Sequence, residues 1–148
     1  MADSAKTPFM SADAYGRSLR GFGVNILVSD MAATLAFLDA VLGVTTAYAD
    51  ADFAVCRHGG QEWMLHSDAS YHSNPLLALT GDGAIRGAGL ELRLYGVDPD
   101  AAAARAEAAG HTVLQQASDK PHGLREAYIA GPDGYVWVPS VPKAGTQP

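Results

Sequence analysis

A chain of 148 residues, 48% hydrophobic and 18% charged, can build one ordinary core and has too little material for two comfortable domains. Its composition excludes a collagen-like repeat, a disulfide scaffold and wholesale disorder, and the lone Cys56 suits a reducing compartment, expected to be the cytoplasm. Ten basic against sixteen acidic residues leave a formal charge of −6, a surface that repels phosphate backbones, so nucleic acid is not an expected partner.

Residues 1–21 are polar and small, with Pro8 and Gly16 breaking any periodicity, and read as an N-terminal arm with only Tyr15, Leu19 and, at its end, Phe22 to bury. Neither a secretory leader nor a membrane span is expected, because Met1 to Met10 lacks an apolar stretch and no long apolar run follows. From Val24 the apolar residues alternate through Ile26 and Val28, the period of a strand with one packed face. Ser29 and Asp30 then offer a helix cap, Met31, Leu35, Leu38 and Leu42 follow at helical spacing, and Gly43 is a terminator. Strands are expected over 44–50, 53–57 and 62–66, the last two joined by His58-Gly59-Gly60-Gln61. Between Ser67 and Gly89 no period is sustained, which places the connection between two halves there.

The order then restarts. Leu90, Leu92 and Leu94 alternate, Asp98 precedes the alanine-rich helix 101–109, and Gly110 ends it before 111–116. Asp30 to Asp98 and Gly43 to Gly110 are separated by nearly one offset, the mark of a duplicated unit. Two more strands, 124–130 and 135–140, flank the turn Gly131-Pro132-Asp133-Gly134. The predicted fold is α+β: strand, helix and three strands, twice over. The aliphatic rows must face the helices. Asn25 and the row Glu91, Arg93, Tyr95 therefore point to the opposite, concave face, where a ligand would sit.

The segments GVNILVSDMAATLAFLDAVLG and DKPHGLREAYIAGPDGYVWVPS, with this duplicated order, resemble the vicinal oxygen chelate superfamily of glyoxalase I, bleomycin and fosfomycin resistance proteins and extradiol dioxygenases. The resemblance implies paired βαβββ modules forming a cup-shaped, partly open mixed β-barrel with helices outside, in a homodimer. Residues 22–141 would be this domain, with modules near 22–80 and 88–141, and 142–148 a flexible tail. Metal-dependent members point four strand side chains into the cup. Here the resemblance places those slots on Gly23, on Met64 or, two residues on, His66, on Glu91, and on Val138. A divalent ion needs three or four nitrogen, oxygen or thiolate donors, so no metal is expected at these slots.

Several side chains could serve a ligand directly. Glu91 and Arg93 are neighbours on one strand face and either pair with each other or present a carboxylate and a guanidinium to a ligand; an unpaired Glu91 in apolar surroundings could act as a general base. Arg125 and Glu126 alternate on their strand, and Glu126 is placed inward. His122 lies in a loop entering a strand and is either at the cup rim, where the resemblance implies an aromatic, or simply exposed. His66, Tyr71 and His72 match no compact ligand motif and read as surface residues, and GDGAIRG lacks the strand and helix of a phosphate cradle. Trp63 and Trp137 either pack under the helices or form a stacking wall.

The leading expectation is a binding protein resembling bleomycin resistance proteins, holding a cationic or neutral small molecule without a cofactor through Asn25, Met64, His66, Glu91, Arg93, Tyr95, His122, Glu126 and Val138. The alternative is a lyase, isomerase or dioxygenase of the same superfamily, using Zn, Ni, Mn or Fe on shifted ligands such as His66 and Glu91. A third reading is a dimerising module whose cup is vestigial and whose arm, up to Arg20, packs on a partner.

Overall fold

Two short polar side chains set the frame. Asp30 accepts a hydrogen bond from the Ala33 amide at 2.9 Å, and Asp98 accepts from the amides of Asp100 and Ala101, so each caps a helix after its strand. The computed structural model describes residues 9–70 and 73–145. The first unit runs β1 (Asn25–Val28), α2 (Met31–Leu42), β2 (Thr45–Ala49), β3 (Phe53–His58) and β4 (Gln61–Ser67), preceded by α1 (Ala12–Ser18). The second runs β5 (Glu91–Tyr95), α3 (Pro99–Ala108), β6 (Thr112–Asp119), β7 (Leu124–Ala130) and β8 (Val136–Pro142). Each forms a four-stranded mixed sheet, ordered β1-β4-β3-β2 and β5-β8-β7-β6, with β1/β4 and β5/β8 parallel. This is the expected α+β duplication, with open sheets and no closed barrel.

One core serves both units. Ile26, Val28, Ala54, Cys56 and Leu65 of the first sheet and Leu94, Ile129 and Trp137 of the second pack with Leu38, Val41, Leu42, Ala102 and Ala106 of the two long helices. Burying large apolar side chains contributes about 1.5–3 kcal/mol each, and this shared layer dominates the stability. Arg105 ties the helices together by donating from Nε and Nη2 to the Val41 carbonyl at 3.0 and 2.8 Å. Trp137 is 3% exposed and meets Trp63 at 6.0 Å between ring centroids, so core packing accounts for Trp137, while Trp63 is half-buried.

The arm differs from its expectation. Residues 12–18 form a helix, capped by Ser11 through the Ala14 amide at 3.2 Å, and Tyr15 is buried against Phe53 of the chain's own first sheet. A helix of seven residues carries no readable period; the tertiary contact of one aromatic decides it. At the other end β8 continues to Pro142, one residue into the expected tail. Leu90 lies outside β5 and is 48% exposed, so the aliphatic row packed beneath α3 begins at Leu92.

Candidate ligand-binding site

Strand alternation sorts the predicted site residues by sheet. On the second sheet, β5 turns Glu91, Arg93 and Tyr95 to the concave face, β8 lies parallel with Val138 opposite Arg93 and Ser140 opposite Tyr95, and β7 places Glu126 opposite Ser140. Arg93 is the hub. Its Nη2 donates to the Glu126 carboxylate and to Ser140 Oγ at 3.4 Å, its Nη1 to Glu91 at 3.2 Å, and its Nε to the Tyr95 hydroxyl at 3.2 Å. Glu126 is 1% exposed, facing inward as expected, and also accepts from the Tyr128 hydroxyl at 3.3 Å and His122 Nε2 at 3.4 Å. Arg125, on the opposite face, pairs with Asp100 and Asp119.

The electrostatics follow from these contacts. Burial alone would raise the Glu126 pKa, but the hydrogen bond and charge of Arg93, with a smaller contribution from His122, hold it below the usual carboxylate value. For Arg93, desolvation works against the charge and the bonds to Glu126 and Tyr95 outweigh it, so the guanidinium stays firmly protonated. Tyr128 is raised, chiefly by the neighbouring Glu91 carboxylate and then by burial. Glu91 is not the unpaired carboxylate that a general base would require: its side chain is 44% exposed and bridged to Arg93. His122 is 54% exposed, and Val138 is fully buried.

The remaining predicted residues belong to the first sheet. Asn25 and Met64 are opposed across β1 and β4, as are Leu27 and His66, and His66 Nδ1 donates to Asn25 Oδ1 at 2.5 Å. His66 is thus a half-buried strand residue and not a surface histidine, and burial lowers its pKa. Tyr71 and His72 lie outside the described residues. Met64 and His66 line a pocket with residues of α1, and with Asn25 they lie on the first sheet, apart from the Arg93 cluster on the second. Tyr128 and Ser140 join the second-sheet cluster although composition did not mark them; their signal was the two-residue spacing from Glu126 and Val138.

A divalent ion does not suit this donor set. Gly23 precedes β1, Asn25 faces a thioether at Met64, and Glu91 faces the aliphatic Val136 across β5 and β8. The four slots hold the Glu91 carboxylate and either the Met64 thioether or the His66 imidazole, on two sheets, while Gly23 and Val138 offer no donor, which falls short of the three or four donors of a ligand shell. Among the described residues no three His, Cys, Asp or Glu side chains come together as a metal-holding group. What the Arg93 cluster offers is a preorganised polar floor with one more carboxylate than guanidinium, suited to recognition through hydrogen bonds and charge.

No described helix is long and apolar enough to cross a membrane. No curated protein sequence matches the chain. Solved structures share its fold: a glyoxalase-related enzyme from Fulvimarina pelagi has a TM-score of 0.64 at 18% identity, covering 83% of this chain and 88% of that one. A glyoxalase/bleomycin resistance protein/dioxygenase from Nocardioides gives 0.62 at 22% identity over 92% and 95%, and a family enzyme from Burkholderia phytofirmans PsJN gives 0.66 at 19% over 81% and 96%. With its duplicated βαβββ fold and a family model matching residues 23–138, the chain belongs to the Glyoxalase/Bleomycin resistance protein/Dioxygenase superfamily.

Proposed function

We propose that this protein is a cytoplasmic, homodimeric small-molecule binding protein whose second-sheet concave face takes a cationic or neutral ligand without a metal. The supporting observation is the Arg93–Glu126 pair: a buried carboxylate held ionised by a guanidinium, with Glu91 exposed beside it as the surplus negative group. A ligand ammonium or hydroxyl set against Glu91 completes a charge-assisted hydrogen bond, and Tyr95, 60% exposed, supplies a ring next to it. Glu91 is paired with Arg93 rather than poised as a base, which supports holding a ligand over transforming it.

The test uses EDTA-treated protein and a thermal-shift panel of metal-free bleomycin, a glutathione thioether and an aromatic diol, followed by calorimetry on whichever shifts the transition. A ligand at about 100 times its dissociation constant adds roughly 2.7 kcal/mol, so a hit is visible as a raised melting temperature. Binding of the cationic glycopeptide, weakened about tenfold by Glu91→Gln, is the expected result. Stoichiometric Zn, Ni, Mn or Fe in protein purified without chelator, with binding or turnover restored only by that metal, would overturn it in favour of metal-dependent chemistry.

A further inference from the structure

The first sheet's concave face is covered by the chain itself, and the cover is not a close fit. Between α1 and the sheet lies a chamber of about 480 Å³, lined by Phe9, Tyr15, Tyr48, Phe53, Met64 and His66 with Asp50 at its mouth. Five rings surround it as a connected series. Phe9 stacks on Tyr48 at 4.8 Å and tilts against Tyr15 at 5.5 Å; Tyr15 meets Phe53 edge-on at 5.8 Å; and Phe53 lies 6.1 Å from Tyr48 and 4.9 Å from His66. Aromatic side chains that only close a core bury their faces in one another and in aliphatic neighbours. These rings do pack on one another, and as a group they also border space of the size of an ordinary ligand pocket.

The charge of the lining is one-sided. Asp50 accepts from the Tyr48 hydroxyl at 2.7 Å and from the amides of Asp52 and Phe53 at 2.8 Å each, which locks its carboxylate in place beside the rings. Those bonds, the Tyr48 hydroxyl foremost, keep it below the usual carboxylate range. Among the described residues no lysine or arginine lines the chamber. Aromatic faces carry the negative end of a quadrupole, so rings around a cavity with a carboxylate at its mouth favour a soft, weakly hydrated cation over a neutral or anionic guest.

From this geometry we infer that the chamber beneath α1 is an aromatic cage for a quaternary or alkylated ammonium group, with Asp50 as the counter-charge and α1 as its roof. This deepens the reading of the chain as a small-molecule binder by adding a site on the other sheet, and the two sites fail separately. Met64 gives the floor an unbranched thioether that can adjust to the alkyl groups of the guest. The volume exceeds what a trimethylammonium group fills, so the guest carries a further substituent.

Choline and 3,3-dimethyl-1-butanol, which replaces its nitrogen by carbon, form the decisive pair of probes, titrated into the full chain by calorimetry and by NMR. Choline is expected to saturate and to show contacts from its methyl protons to the Tyr48 and Phe53 rings, with the carbon isostere at least about tenfold weaker. Asp50→Asn, at an exposed rim position that leaves the fold intact, weakens choline about five- to tenfold and leaves the isostere unchanged. Phe53→Leu weakens choline further; if that variant does not fold, Asp50→Asn alone decides. Glu91→Gln leaves choline binding unaltered, which separates this site from the second sheet. Equal affinity for the two probes, no binding of choline, or indifference to Asp50→Asn overturns the inference.

Discussion

Arg93 and Glu126 are a pair in which each side chain depends on the other. Glu126 would not remain ionised at 2% side-chain exposure without the guanidinium, and Arg93, at 22%, holds Glu91 and Tyr95 in place as well. Replacing Arg93 by Met keeps the volume and leaves a buried carboxylate without its partner. The expected cost is about 2–4 kcal/mol by urea denaturation at neutral pH, below the full range for broken buried pairs because the cluster is reached by solvent. The sign of the pH dependence follows from the direction of the shift. A carboxylate whose folded pKa lies below its unfolded value contributes stability above the unfolded pKa and loses it as pH falls through the folded one. The wild-type protein should therefore weaken on acidification below the ordinary glutamate pKa, and Arg93→Met should show a flatter or reversed slope there. Identical slopes for the two proteins would show that the pair is not what ionises Glu126. That one of Arg125 and Glu126 turns inward was legible from alternation, but the sharing of Arg93 among four partners was not, since two of them lie on strands 33 and 47 residues away in sequence.

At the scale of elements, the caps and turns carried most of the readable signal. Asp30 and Asp98 cap their helices and Gly43 ends α2 with a φ of 67°, a value that favours glycine. The connection between the halves gave no such signal, yet it is pinned firmly. Arg86, 7% exposed, donates from Nη1 and Nη2 to the Asp68 carboxylate at 2.7 Å each and from Nη2 to the Thr80 carbonyl at 3.1 Å. Asp133, in the last hairpin turn, accepts the Ser29 amide and hydroxyl at 2.9 and 2.6 Å, joining the second unit to the cap of α2. These contacts join residues up to 104 apart and leave no local period, which is why the glycine-rich segment reads as featureless. Gly87 shows the constraint best: a Cβ there would stand 2.6 Å from Tyr135 Cα and 2.8 Å from the Gly134 carbonyl oxygen, both backbone atoms that do not yield cheaply. Gly87→Ala should cost about 2–3 kcal/mol through backbone displacement, read as a lower urea midpoint with an unchanged slope. Gly81→Ala, where nothing stands within 4 Å, should be close to neutral and serves as the control.

On the scale of the whole molecule, the shared core explains why two small modules are stable as one body, and the outer edges show where a second body fits. β1 and β5 are both edge strands, and an unpaired edge flanked by apolar side chains is a site for association unless something blocks it. Phe22, 93% exposed before β1, and Tyr95, 60% exposed at the end of β5, line one apolar slot of about 450 Å³ together with Trp63, whose buried Nε1 has no hydrogen-bond partner there. Single exposed apolar residues are ordinary, but two aromatics bordering one slot at the meeting of two edges are a patch. This supports reading the protein as a homodimer that associates through Phe22. Because Phe22 contributes almost no burial within one chain, Phe22→Asp tests association without touching the fold. Light scattering on the wild-type chain should give twice the 15.4 kDa of one copy, and the variant should shift toward one copy with an unchanged circular dichroism spectrum. A wild-type mass of one copy at micromolar concentration would remove the dimer and leave the slot facing solvent.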